Sequence, residues 1–249
     1  MSPSGSPPRR KDHRLLVVIP ALDEEDALPG VLSELARVRR DADIVVIDDG
    51  SADTTTAVAR AAGATVLRLP YNLGIGGALR TGFRYAVEQG YTRAVQFDAD
   101  GQHDPAEINA LVAQLDAGAN LVIGSRFATG DTDYEVGRVR RRAMRMLGTA
   151  VRILSGQVFT DTSSGFRAFD HDALRLFAHT YPVDYMESVE ALVMACAGGL
   201  RVVETPVRMR SRAGGLPSNR SLRLAYHYVR LLLVIIVTTN RRRIREVRP

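Results

Sequence analysis

Short apolar runs recur along the chain at Leu15 to Ile19, Ile44 to Ile47, Val66 to Leu69, around Ala94, Val95 and Phe97, and at Leu121 to Ile123. Runs of this length with little polar alternation predict strands buried on both faces, as in a parallel sheet. Between them the apolar positions shift to helical spacing. Leu28, Val31, Leu32, Leu35 and Val38 mark one helix, Val58 and Ala62 a second, Ala78 to Gln89 a third, and Pro105 to Ala117 a fourth with proline in its first turn. Strands alternating with helices at this spacing predict a parallel, doubly wound α/β sheet. Gly50 supplies turn freedom after the second strand, and Ser51 or Asp53 is placed to cap the helix that follows. Later, the polar loop Thr160 to Arg167 leads into a short apolar Phe166 to Phe169. A helix is expected from Glu187 to Ala197 and a last strand from Val202 to Val207.

Two segments differ in character. Val139, Ala143, Met146, Leu147, Ala150 and Leu154 recur at helical spacing, while Arg138, Arg141, Arg142, Arg145 and Arg152 take the other faces. Such a helix either lies at a membrane interface or packs its apolar stripe on the sheet with its arginines in water. A second helix, from about Leu222 to Thr239, contains the apolar run Leu231 to Val237. A spanning helix takes roughly 20 mostly apolar residues, and His227 and Arg230 interrupt this one. An interfacial anchor, with Tyr226 and Tyr228 at headgroup depth and Arg241 to Arg243 snorkelling, stands against a core or oligomer helix.

The 249 residues suffice for one large α/β domain. The net charge of +5 hides a division: twelve arginines from Arg201 onward face only Glu204 and Glu246, the first fourteen residues are also basic, and the body between is acidic. Basic ends on an acidic body do not suit nucleic acid, and none is expected as a partner. They suit an anionic membrane surface or a phosphorylated acceptor, with a merely solvated tail as the alternative for Arg241 to Arg243. Cys196 is the sole cysteine, which excludes an intrachain disulfide and is compatible with a reducing compartment. Its apolar surroundings suggest a small buried hydrophobe. Ser2 to Pro8 lacks an apolar signal core, so residues 1–14 read as a disordered leader. The main domain is expected over 15–215, with a basic amphipathic helix and tail over 216–249.

Candidate chemistry concentrates at Gln96-Phe97-Asp98-Ala99-Asp100-Gly101-Gln102-His103. Two carboxylates spaced i, i+2 at the end of a buried strand would face the crevice where open α/β sheets bind ligands. Hard cations such as Mg²⁺ bridge one or two carboxylates to substrate phosphates, so Asp98-x-Asp100 suits a nucleotide diphosphate; an ordinary turn is the alternative. Asn72-Leu73-Gly74-Ile75-Gly76-Gly77 superficially matches a dinucleotide fingerprint. It follows the third strand and lacks the full spacing, so a dehydrogenase is discounted; the glycines instead suit a helix starting close against another backbone.

Val18-Ile19-Pro20-Ala21-Leu22-Asp23-Glu24-Glu25, Asp48-Asp49-Gly50-Ser51, Asn72-x-Gly74, Asp98-Ala99-Asp100-Gly101-Gln102-His103 and Gly124-Ser125-Arg126 together resemble family 2 glycosyltransferases, over about residues 15 to 215. Asp98 to His103 and Asp161-Thr162-Ser163-Ser164-Gly165-Phe166-Arg167 are similar to the dolichyl- or polyprenyl-phosphate sugar transferases. The resemblance implies a glycosyltransferase A-type, Rossmann-like fold with a mostly parallel sheet. It implies metal-dependent, inverting transfer from a GDP- or UDP-linked sugar to a polyprenyl phosphate at the membrane surface. By motif position, Pro20, Leu22, Glu24 and Asp49 would hold the base and ribose, with Ala99 beside the nucleotide. Asp98, Asp100 and Gln102 would hold Mg²⁺ or Mn²⁺, and Arg126 would lie near the diphosphate or acceptor.

The family's C-terminal motif often carries Ser-Lys, whereas this chain has Arg212-Ala213-Gly214-Gly215-Leu216-Pro217-Ser218-Asn219 and no lysine but Lys11. Arg210, Arg212 or Arg220 would supply that cation, through a planar fork instead of a point charge. Many relatives also carry evident transmembrane helices here, so anchoring at the cytoplasmic face would be peripheral or through an integral-membrane partner. A hydroxyl acceptor would need a general base, for which Asp161, Glu187 and Glu190 are candidates. A phosphate monoester would not, because its second pKa of about 6 leaves it anionic at neutral pH. The competing readings are a soluble transferase acting on a hydroxyl and a non-catalytic nucleotide-sugar sensor or scaffold. A nucleotidyltransferase is disfavoured, since no Gly-rich, basic phosphate loop follows the first strand.

Overall fold

The computed structural model describes residues 14–128, 148, 149, 151, 152, 156–183 and 187–210. The leader, nearly all of the basic helix expected from Arg138 to Leu154, the C-terminal helix and tail, Arg212 and Arg220 lie outside the described residues. The elements in order are β1 (Leu15–Ala21), α1 (Leu28–Val38), β2 (Ala42–Asp48), α2 (Thr55–Ala61), β3 (Thr65–Arg68), α3 (Ile75–Glu88) and β4 (Arg93–Gln96). A single 3₁₀ turn (Pro105–Glu107) then precedes α4 (Ile108–Asp116), β5 (Leu121–Ser125), β6 (Arg167–Phe169), α5 (His171–Thr180), α6 (Glu187–Ala197) and β7 (Val202–Pro206).

The strands form one sheet in the order β3-β2-β1-β4-β6-β5-β7. All pairings are parallel except those of β6, which runs antiparallel to both β4 and β5. The expectation of a parallel sheet therefore holds apart from one inserted strand of three residues.

Alternation along the strands builds a core on each face. Leu15, Val17 and Ile19 of β1 join Val46, Val95 and Val122 beneath α1 and α4, while Leu16 and Val18 join Val45, Ile47, Ala94 and Ile123 beneath α3, α5 and α6. Burial on both faces is why these strands read as continuous apolar runs. The apolar stripe of α1, Leu28, Val31, Leu32 and Leu35, is buried as its spacing requires. α5 has no counterpart among the helices expected from periodicity. Asp170 caps it by accepting from Ala173 N (2.9 Å), and Leu174 and Phe177 pack into an aromatic group with Phe83, Phe169 and Tyr181. Cys196 is half-buried and packs against the same core.

The glycines at the start of α3 serve close packing. A Cβ on Gly76 would meet Pro182 O at 2.1 Å and Val183 Cα at 2.8 Å. α3 begins three residues earlier than expected, at Ile75, because Gly74 at φ +81° turns the chain into it. In contrast, a Cβ on Gly30 in the first turn of α1 would meet nothing within 4 Å. Opposite signs are expected in chemical denaturation: Gly76→Ala loses about 1–3 kcal/mol by overpacking, and Gly30→Ala gains about 0.5–1 kcal/mol from lost chain entropy. Equal effects at the two positions would contradict the packing described.

Candidate active site

Because β1, β2, β4 and β5 are parallel, the loops that follow them leave one edge of the sheet. β6 runs the other way, so the loop before it reaches that same edge. Residues 20–25, 48–53, 98–103, 125–126 and 161–165 are thereby gathered along one rim.

On the β1–β2 side, the two loops are laced together. Asp23, at φ 53°, donates its N–H to Ser51 Oγ (3.0 Å) and accepts from Ala52 N at Oδ1 (2.8 Å). Glu24 N donates to Thr55 Oγ1 (2.9 Å), Glu25 N to Asp53 Oδ2 (3.1 Å), and Thr54 N to Glu25 Oε2 (2.9 Å). The N-cap position of α2 is Thr54, whose side chain makes no cap bond, so neither Ser51 nor Asp53 is the N-cap residue; Asp53, one residue earlier, accepts from Thr55 N (2.9 Å). Pro20 lies in β1 opposite Ile47, and Leu22 is 40% exposed on the rim. Asp49 is buried and accepts from Leu73 N (2.7 Å); burial pushes its carboxyl above the ordinary value against the hydrogen bonds from Leu73 and Gly74. Burial would also raise Asp48, but hydrogen bonds from Ser51 and Thr56, with Arg68 nearby, hold it below the usual carboxylate range. Of the residues expected to hold a nucleotide, Leu22, Glu24 and Asp49 are thus on adjacent loops and Pro20 is at the end of β1 beside them. Ser51 was expected as a cap and within the Asp48–Ser51 motif, not as a partner of Asp23; Thr54 and Thr55 were not expected to contribute, and their only signal was the density of Asp, Ser and Thr after β2.

The Asp98–His103 loop is fixed by the histidine. Asp98 N donates to His103 Nδ1 (3.0 Å), which leaves the ring proton on Nε2, 3.5 Å from Asp98 Oδ2. The ring stacks on Phe166 (4.6 Å between centroids) and meets Phe97 edge-on (5.2 Å). Burial pushes its pKa down, which keeps the imidazole neutral and its Nδ1 an acceptor. Gly101, at φ +76°, turns the loop, and Gln102 N donates to Asp100 Oδ1 (3.0 Å). Ala99 is buried between the two carboxylates in sequence. Gly165 faces Asp98 so closely that a Cβ there would stand 2.9 and 3.1 Å from the carboxylate oxygens. Among the described residues, no group of three or more His, Cys, Asp or Glu is placed to hold a metal ion. Asp98, Asp100 and the Gln102 amide offer only oxygen-rich, incomplete ligation. That donor set fits a hard cation which draws its other ligands from substrate phosphate and water.

Arg126 and Asp161 are brought together, onto each other. Arg126 Nε and Nη2 fork onto Asp161 Oδ2 and Oδ1 (2.7 and 2.9 Å), and Asp161 is fully buried. Thr160 N and Asp161 N both donate to Glu204 Oε1 of β7 (2.9 and 2.7 Å), which ties this loop to the sheet. Arg167 is wholly buried and spends its guanidinium on backbone carbonyls of Ser164 (2.8 Å), Thr162 (3.0 Å) and Ser188 (2.6 Å). Neither Arg167 nor Glu204 was expected to contribute. Glu187, at the start of α6, is buried and accepts from Ser188 Oγ (2.8 Å). Burial raises its carboxyl pKa, and the hydrogen bond from Ser188, with the charge of Arg167 behind it, offsets this only partly. Arg210 donates its N–H to Gln102 O (2.8 Å) and forks onto Glu34 of α1 (2.7 and 2.9 Å), which lowers the Glu34 pKa.

The raised pKa of Glu187 makes its ionised form a cost to folding. Its stability contribution is complete below the ordinary value of 4.5 and is lost as pH rises through the folded-state pKa. Glu187→Gln keeps the acceptor for Ser188 without the charge. In denaturation series across pH, the variant should match the wild type below pH 4.5 and become the more stable protein above it; parallel curves would refute the assignment.

The family profile described as Glycosyl transferase family 2 matches residues 16–177. The chain is 32% identical over 216 residues to a polyprenol monophosphomannose synthase of Mycolicibacterium smegmatis, covering 83% of this chain and 81% of that protein. It is 32% identical over 213 residues to an undecaprenyl-phosphate mannosyltransferase of Micrococcus luteus, covering 81% and 86%. Among solved structures, glucosyl-3-phosphoglycerate synthase from Mycobacterium tuberculosis in complex with Mg²⁺ and uridine diphosphate superposes with a TM-score of 0.65 at 25% identity, covering 90% of this chain and 78% of that one. With strand order, rim loops and sequence in agreement, the chain belongs to glycosyl transferase family 2, with the glycosyltransferase A-type fold.

Proposed function

We propose that this glycosyltransferase moves a sugar from a nucleotide diphosphate sugar to a polyprenyl phosphate. The relatives named above support the acceptor class. The observation that carries the choice is the Arg126–Asp161 fork: both carboxylate oxygens of the acid expected as a base are engaged by a guanidinium. A phosphate monoester acceptor dispenses with a base, being anionic at neutral pH.

In this reading Pro20, Leu22, Glu24, Asp49 and Ala99 border the nucleotide. Asp98, Asp100 and Gln102 hold Mg²⁺ or Mn²⁺, which when bound offsets charge on the departing nucleoside diphosphate. Neutral His103 keeps Asp98 aimed by holding its backbone amide. Arg126, fixed by Asp161, presents positive charge on the acceptor side of the rim, and by their place in the sequence alone Arg212 and Arg220 are read as further cations for the acceptor phosphate. Attack by the acceptor oxygen at the anomeric carbon, opposite the departing diphosphate, inverts that centre. Among the described residues no helix is long and apolar enough to cross a membrane. The arginine-rich C-terminus would then hold the enzyme peripherally at the anionic cytoplasmic face, alone or on an integral-membrane partner.

A second reading, transfer to a hydroxyl, draws on Glu187, whose raised pKa suits a general base. Turnover separates the two. With Mg²⁺ or Mn²⁺, GDP- and UDP-sugars and a short-chain polyprenyl phosphate, lipid-linked product is expected, and Asp98→Ala and Asp100→Ala should each lower kcat about 100-fold or more. Full activity in both variants would refute the site. Glu187→Gln should retain most lipid-phosphate transfer; its abolition would favour the hydroxyl reading. Deleting residues 222–249 should reduce sedimentation with anionic vesicles, and unchanged sedimentation would refute the anchor.

A further inference from the structure

The chain does not leave the sheet when β7 ends. Val207 N donates to Ser125 O (3.1 Å), Met209 bridges His103 in antiparallel fashion, and Arg210 N donates to Gln102 O (2.8 Å). Residues 207–210 thus lie as a strap across the loop that carries Asp100 and Gln102. The strap is pegged from outside by the Arg210 guanidinium, which forks onto both oxygens of Glu34 (2.7 and 2.9 Å) and reaches Asp104 Oδ2 (3.1 Å). Asp104 in turn caps the 3₁₀ turn after the loop by accepting from Ala106 N (2.9 Å). One guanidinium therefore joins α1, the cation loop and the start of the C-terminal segment.

We infer that Glu34 is a positioning residue for the cation loop, acting through Arg210 to hold Gln102 and Asp100 in the arrangement a divalent cation requires. The inference rests on the reading of Asp98, Asp100 and Gln102 as the cation site. Glu34 lies on α1 and forks onto Arg210, so its effect on the loop passes through the strap. Fork-on-fork geometry restricts Arg210 in direction as well as distance, which a single exposed contact would not do.

The control is built into the strap. Arg208 Nε meets Glu107 Oε1 at 3.1 Å, but the Arg208 side chain is 92% exposed, so this pair should contribute little to the loop. Two measurements on the full chain test the proposal. In metal-free protein, hydrogen exchange of the backbone over residues 98–104 should quicken in Glu34→Gln and stay unchanged in Arg208→Gln, with the rest of the sheet protected as before. Mn²⁺ titration in the presence of UDP or GDP, read against protein-free nucleotide by electron paramagnetic resonance, should show Kd weakened about three- to fivefold by Glu34→Gln, the size expected of a half-exposed ion pair, and restored in the charge-swapped double variant E34R/R210E. Unchanged exchange over 98–104 in Glu34→Gln, or equal effects of Glu34→Gln and Arg208→Gln, would overturn the positioning role. Wild-type protein that binds no Mn²⁺ would overturn the cation site itself and this inference with it, a result distinct from a wild type and Glu34→Gln that bind Mn²⁺ equally.

Discussion

A guanidinium taken out of water must be met by oxygen, and Arg167 is met by three backbone carbonyls. That choice has wide consequences. The carbonyls of Thr162 and Ser164 belong to the loop that carries Asp161 and Gly165, and the carbonyl of Ser188 belongs to the first turn of α6, beside Glu187. One buried side chain thus sets the floor of the rim from two directions. Asp98 can sit against Gly165 only because the loop beneath is held in place and bears no Cβ at that point. Glu187 lies within reach of the same guanidinium, whose charge works against the rise that burial imposes on its carboxyl pKa.

A similar economy governs the other charged groups. Arg126 and Asp161 were each singled out for chemistry from residue type and motif position, and the fold makes each the other's principal partner. An arginine held by a buried carboxylate loses little conformational entropy when it meets an anion.

The elements legible in the sequence were those with local causes. Continuous apolar runs identified β1, β2 and β5 because burial on both faces leaves no polar position to break them. The stripe from Leu28 to Leu35 identified α1, and the clustering of acids after successive strands located the rim. β6 was not legible in its direction. Its three residues fit either orientation, and the choice is made by pairing with β4 and β5, far away in sequence. α5 carried a readable cap at Asp170, but its apolar positions, Ala173, Leu174, Phe177 and Ala178, follow close on the Phe166 to Phe169 run, which masks the change of period. The lacing of Asp23 and Glu25 to Ser51 and Thr54 was hidden for a different reason: hydrogen bonds between polar side chains and loop backbone leave no periodic trace.

The inserted strand also gives the sheet a mechanical seam. β3, β2, β1 and β4 form one block and β5 with β7 another, and each is joined to β6 by only three residue pairs, against seven between β1 and β2. The nucleotide side of the rim belongs to the first block and Arg126 to the second, while Asp161 and Gly165 hang from the seam itself. β6 is buried at all three residues in the middle of the sheet, so this short ladder opens only with the core around it. Parting the two sides of the site would mean opening that core, so the integrity of the sheet and the alignment of the reacting groups are a single property.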